Sequence, residues 1–305
     1  MPTFSILIIT YNRCKDCLAL LHNLSRQADL QAYVGEILLL NNHSSDSYVD
    51  IEIFIEQHPQ LPVKYIFHKE NLGVARGRNF LIEKAQFPYL LLLDDDVEFE
   101  NNNALCKISN LFAKPQYIGN NTAIITLNIH YFDTKERQKN ALPHKNYETY
   151  KNKEWFFTYY FTGAAHVMKK ELFGKTGYYP EDFFYGMEEY DLSYRAIKAG
   201  YSLAYDSAVK VWHKESPLGR ISNKEKMMMM WLNKSKVAWK YLPKKYFYST
   251  ALLWSFEYLK KTKVDIKGYF QTWKKIFTIP KTLPQQPIGK NALYYLKSVY
   301  ARLWY

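Results

Sequence analysis

Apolar residues fall in short unbroken runs over the first part of the chain and in spaced stripes over the last. The runs are Phe4-Ser-Ile-Leu-Ile-Ile-Thr10, Glu36-Ile-Leu-Leu-Leu40, Val63-Lys-Tyr-Ile-Phe67 and Tyr89-Leu-Leu-Leu-Leu93. Branched side chains without polar alternation predict strands buried on both faces, as in a parallel sheet. Between them lie polar turns and helical patterns. Tyr11-Asn12-Arg13 leads into a helix with Leu18, Leu21 and Leu24 on one face. Asn41-Asn-His-Ser-Ser-Asp46 is a run of loop and N-cap residues before a second helix, and Asn71-Leu-Gly-Val-Ala-Arg-Gly-Arg-Asn79 opens a third. This alternation predicts an α/β fold, with the sheet covered by helices on both faces.

The middle of the chain is mixed. A strand is expected at 122–130, a mobile polar loop at 132–153, and a strand with a small-residue bend in Phe161-Thr-Gly-Ala-Ala-His-Val-Met168. A loop then enters a helix around Glu188, and a short strand at 202–205 leads to Val209-Lys-Val-Trp-His213. Beyond His213 the texture changes to Lys, Met, Leu and aromatics. Helices expected at 222–241 and 244–262 carry apolar residues on one side and lysines at the margins, the pattern of a helix lying at a membrane interface. No run reaches the roughly 18–20 apolar residues of a spanning helix. Met1-Pro-Thr3 leads directly into the first strand, so no signal sequence is expected.

Charge divides the chain at the same point. Residues 1–213 hold 22 Lys+Arg against 25 Asp+Glu, a net of −3; residues 214–305 hold 19 against 4, a net of +15. The expected organisation is therefore a catalytic domain at 1–213 and a basic, aromatic helical extension at 214–305. The extension suits an acidic partner, either a membrane surface or a nucleic acid; packing on the sheet domain or a homodimer contact are its alternatives. A hydrophobic content of 48% with 17% aromatics excludes global disorder. Cys14 and Cys17 lack a second pair to complete a zinc site, so they read as ordinary thiols of a reducing, cytoplasmic compartment.

Candidate chemistry centres on Asp94-Asp95-Asp96, where a run of leucines meets three carboxylates. Like charges so close do not tolerate burial without a cation. The carboxyl end of a strand in an open α/β sheet is where ligands bind, so Asp94 and Asp96 are expected to hold Mg²⁺ or Mn²⁺ against phosphates. The dinucleotide and Walker glycine signatures are both absent. The remaining polar strand ends, Thr10 to Arg13, Asn41-Asn42, Arg76 and Arg78, suit a nucleoside diphosphate. A second acidic group, Glu188-Glu189-x-Asp191, starts a helix; Glu188 and Asp191 would share a face with Glu189 about 100° away. A carboxylate there can act as general base on an acceptor hydroxyl. His213 offers a ring nitrogen to the same metal.

These segments, with Phe184-Tyr-Gly-Met-Glu-Glu-Tyr-Asp-Leu-Ser-Tyr-Arg195 and Trp212-His213, occur in the order and spacing of the family 2 glycosyltransferases, and residues 3–214 resemble that family. The resemblance implies the A-type glycosyltransferase fold, a mixed sheet with flanking helices, and inverting, metal-dependent transfer from a nucleotide-activated sugar. It implies Asp96 on the metal, Asp94 nearer the ribose, and Thr10, Tyr11, Arg13, Gly73, Arg78 and Asp95 lining the nucleotide pocket. His213 matches a late histidine that meets the metal or diphosphate.

Two positions depart from the family pattern. Asn41 stands where an Asp usually reads the base, yet an amide still pairs with a uracil or thymine edge, so UDP- or dTDP-sugars are favoured. Glu189 stands where the family's base is usually Asp. Thr162, Gly163, Glu154 and Trp155 are expected to shape the acceptor side, for a glycan or lipid-linked glycan at the inner face of the cytoplasmic membrane. A nucleotidyltransferase would instead show a Gly-rich basic loop after the first strand. A nucleic-acid-binding protein would leave both acidic groups unexplained.

Overall fold

The computed structural model describes residues 4–215, 218 and 221–304. The expectation made for Met1-Pro-Thr3 lies outside them. Among the described residues nine strands form one sheet: β1 (Phe4–Thr10), β2 (Val34–Asn41), β3 (Val63–Phe67), β4 (Tyr89–Asp94), β5 (Val97–Phe99), β6 (Thr122–Tyr131), β7 (Trp155–Thr158), β8 (Ala165–Lys169) and β9 (Ser202–His213). Their order is β3-β2-β1-β4-β8-β6-β9-β5, with β7 paired to β9. The first four strands are parallel, as their unbroken apolar runs predict. Beyond them the sheet is mixed: β8 runs antiparallel to β4 and β6, β9 lies parallel to β6, and β5 and β7 pair antiparallel with β9.

The period of two along each strand divides the core into two layers. Ile6, Ile8, Leu39 and Leu91 point into one, closed by Leu20, Leu21 and Leu24 of the helix Cys14–Ser25 and by Ile51 and Phe54 of the helix Val49–Gln57. Leu7, Leu38, Leu40 and Leu92 point into the other.

That second layer continues without a break into the extension. Its helices are Asn223–Tyr241, Lys244–Lys261, Ile266–Thr282 and Lys290–Ser298. The buried residues Trp231, Tyr241, Tyr258, Ile276 and Leu296 share one cluster with Leu92 and Leu192. Trp231 donates its indole N–H to the Ala251 carbonyl at 2.9 Å, joining the first two helices. The first begins at a capping box in which Ser222 and Glu225 satisfy each other's backbone N–H. Packing of the extension on the sheet domain, one of the alternatives to a free acidic-partner surface, is therefore present.

Several local expectations change. The pieces at 202–205 and 209–213 are one strand, continuous through a register shift against β6. Residues 132–153 are no stand-off loop: Gln138, Ala141, Leu142 and His144 are buried. The strands β5 and β7 are too short to show a period. The helices Ile266–Thr282 and Lys290–Ser298 were hidden by Gly268, Pro280 and the Pro-rich stretch between them.

Candidate active site

The register brings Ile9 opposite Asp94 and Thr10 opposite Asn41, so the carboxyl ends of β1, β2 and β4 open together. A cavity of about 810 Å³ lies across them. Its wall includes Tyr11, Arg13, Gly73, Arg78, the three aspartates, Thr162, Gly163, Glu188, Glu189 and His213. Residues more than a hundred positions apart in sequence thus face one space, as a two-substrate site requires.

At one end the ligand atoms of Asp94, Asp96 and His213 all lie within 4.8 Å of one another. The His213 ring places Nε2 3.3 Å from Asp96 Oδ1 and Nδ1 2.9 Å from the Gln138 side-chain carbonyl. With Nδ1–H donated to Gln138, the Nε2 lone pair faces the carboxylates, the tautomer a metal ligand needs. Arg13 lies 2.9 Å from Asp95 and 3.3 Å from Asp96. Burial pushes Asp95 up to about 7 against the pull of Arg13, and burial also raises Asp94. Two carboxylates and an imidazole converging in a buried, charge-rich corner are a donor set that fits a divalent cation such as Mn²⁺ or Mg²⁺.

At the other end the helix Glu188–Lys198 begins after Gly186 and Met187, both in the left-handed region. This tight entry puts Glu188 and Glu189 on the cavity wall, at the positive end of the helix dipole. Burial, then the neighbouring charge of Glu189, push Glu188 up to about 8.

Arg78 joins the two ends. One guanidinium nitrogen lies 2.8 Å from Glu189 and 3.4 Å from Glu188; the other donates to the Gly163 carbonyl at 3.2 Å and lies 3.7 Å from Asp94. The close approach needs glycine at 163, because a Cβ there would run into the Glu189 carboxylate and sit 2.8 Å from Arg78 Nη2. Gly73 has a φ of +71° and no room for a Cβ beside Phe184.

Six expected residues lie off the cavity. The Thr10 hydroxyl is 2.7 Å from the Tyr48 hydroxyl in the core. Asn41 donates to the Tyr65 hydroxyl and accepts from the Ser44 N–H, so it shapes the loop after β2 while Asn42 takes the wall position. Arg76 pairs with Glu70 at the surface, because two steps along a helix turn a side chain away from Arg78. Trp155 sits at the start of β7, edge-on to Tyr117 and Phe157; with Glu154 it is absent from the wall. Asp191 is fully buried and holds Arg195 and Lys240 at 2.8 and 2.7 Å and the Tyr241 hydroxyl at 2.7 Å. One turn beyond Glu188, the helix has already passed under the extension.

Other wall residues were missed. Gln138 comes from the stretch read as a loop, and only the need of His213 for an outer acceptor pointed to one. Tyr160 and Tyr190 stack at 4.6 Å with an interplanar angle of 11°. Ile221, Lys226 and Met230 come from the extension, so the wall crosses the boundary drawn at 213.

The description "Glycosyl transferase family 2" matches residues 5–177. An uncharacterised protein of Haemophilus influenzae is 34% identical over 181 residues, which cover 58% of this chain and 92% of that protein. Among solved structures, GalNAc-T7 with UDP, GalNAc and Mn²⁺ superposes with a TM-score of 0.64 at 16% identity, over 95% of this chain and 59% of that one. The mannosyltransferase PcManGT from Pyrobaculum calidifontis, with GDP-Man and Mn²⁺, gives 0.60 at 16% identity over 97% and 79%. Both likenesses are of fold. The chain belongs to glycosyl transferase family 2 and has the A-type fold of these enzymes. It is a glycosyltransferase; the matched segment stops short of Glu188, Glu189 and His213.

Proposed function

We propose that this enzyme transfers a sugar from a nucleoside-diphosphate donor to a hydroxyl of a glycan or lipid-linked glycan, with inversion at the anomeric carbon. The observation that carries this is the single cavity shared by Asp94, Asp96 and His213 at one end and Glu189 at the other, with Arg78 between them. Asp96, Asp94 and His213 would hold the cation, which when bound supplies charge neutralisation at the diphosphate. Tyr11, Arg13, Gly73 and Asn42 line the donor end. A uracil or thymine base keeps its amide partner only if Asn42 substitutes for the displaced Asn41.

Glu189 takes the proton of the acceptor hydroxyl as its oxygen forms a bond to the anomeric carbon. The bond from that carbon to the diphosphate oxygen breaks on the opposite face, and its electron pair leaves with the nucleoside diphosphate. Arg78 orients Glu189 beforehand, and its other edge faces the leaving-group side. Tyr160, Thr162 and Gly163 border the space the acceptor would enter.

The proposed location is cytoplasmic, peripheral on the inner membrane face. Among the described residues no helix is long and apolar enough to cross a membrane. Nucleoside-diphosphate release from a panel of nucleotide sugars with Mn²⁺ or Mg²⁺ tests the reaction, and product NMR reads the anomeric configuration. No release from any donor, or retained configuration, would sink the proposal.

A further inference from the structure

The helix Lys244–Lys261 is apolar on more sides than the fold covers. Phe247, Ala251 and Tyr258 are buried against the core. The adjoining stripe of Tyr248, Leu252 and Phe256 is open to solvent, and so are Val264, Phe270 and Phe277 on the turn and helix that follow, with exposures from 50% for Leu252 to 69% for Phe277. A helix apolar on all sides needs a second apolar phase for the side its own core leaves bare.

Basic residues are interleaved with this stripe. Lys260, Lys263, Lys267 and Lys274 are exposed, and among the described residues none pairs with a carboxylate. Residues 214–305 carry only four acids against nineteen bases. A second copy meeting the same face would bring like charges together. A nucleic acid would answer the lysines but leave Leu252, Val264 and Ile266 without a partner. An anionic bilayer answers both, with phosphates over the lysines and acyl chains under the apolar stripe.

We infer that the outer face of the helical hairpin Lys244–Thr282 docks on an anionic lipid surface. This deepens the membrane-side part of the proposed function and rests on it for its purpose. The same extension lines the cavity through Ile221, Lys226 and Met230, so the docking face and part of the cavity wall belong to one packed unit.

The test is cosedimentation of the full chain with phosphatidylcholine vesicles, with and without about one-third phosphatidylglycerol. Partitioning is expected to rise at least about tenfold with the anionic lipid. It should fall back in the Lys260→Glu, Lys263→Glu, Lys267→Glu triple variant, and also in Phe256→Asp with Phe270→Asp. Donor turnover by the lysine variant in lipid-free solution should stay unchanged, which certifies its fold. Equal binding to both vesicles, unaltered binding by the lysine variant, or light scattering showing this face closed in a homodimer would overturn the inference. Tighter binding to an oligonucleotide than to the anionic vesicles would overturn it too. Loss of docking with donor turnover intact would defeat the docking alone, whereas docking without turnover on any donor would defeat the proposed reaction.

Discussion

The side-chain amide of Asn233 donates to the carbonyl of Gly186 at 3.0 Å and to that of Tyr185 at 3.2 Å. A buried residue of the extension thereby fixes the left-handed turn from which Glu188 and Glu189 enter the cavity. Asn233→Ala removes both bonds and is expected to lower kcat about tenfold to a hundredfold, since small displacements of a reacting group are expensive. Nucleotide affinity, set at the far end of the cavity, should hold. Calorimetric titration of the nucleoside diphosphate beside steady-state kinetics separates the two; a parallel loss of affinity would point to general misfolding.

Removing the proposed base or a proposed cation ligand should act on the reaction and little on the fold. Glu189→Gln and Asp96→Ala are each expected to reduce turnover at least about a hundredfold. Near-normal rates in either variant would remove that residue from its role.

Gly163→Ala tests the spacing between these groups. The added methyl meets the Glu189 carboxylate and the Arg78 guanidinium, both ends of side chains that can shift. Activity should drop while the melting temperature stays within a few degrees of the parent. A fully active variant would show that Glu189 need not sit where it does.

The acid pair also sets a pH dependence of stability. Glu188 titrates near 8 when folded, chiefly through burial, against about 4.3 unfolded. A raised carboxyl value means the folded state holds its proton more tightly. That advantage is complete below the unfolded value and is lost as pH climbs toward 8. Glu188→Gln should therefore melt above the parent at pH 8.5, and its lead should shrink toward pH 5. Thermal melts across that window decide it; a constant gap would mean Glu188 is ionised throughout.

Asp191→Asn leaves Arg195 and Lys240 without their shared buried partner. A loss of about 3–5 kcal/mol is expected, as for breaking one side of a buried ion pair. Urea denaturation reads it directly.

The sheet was legible because three of its parallel strands, β1, β2 and β4, are buried on both faces and so carry no polar alternation. The leucine run ending in Asp94 was legible too, as a buried strand whose three terminal carboxylates reach the cavity, where Arg13 and Arg78 meet them. The failures share a different cause. Asn41 and Asn42, or Arg76 and Arg78, are the same residue types one or two positions apart, and only helix phase or loop geometry decides which faces the cavity. Asp191 looked like a catalytic acid because its partners, Lys240 and Tyr241, lie about fifty positions downstream. Gln138 and Asn233 act through contacts that leave no local pattern, so no reading of one segment at a time could find them.

The wall contributed by Ile221, Lys226 and Met230 has a practical consequence for engineering. Grafting a different carboxyl-terminal region onto residues 4–213 would replace part of the cavity wall along with the proposed lipid-docking face. Chimeras intended to relocate the enzyme should therefore be joined after Met230 and Asn233, not at the change in charge.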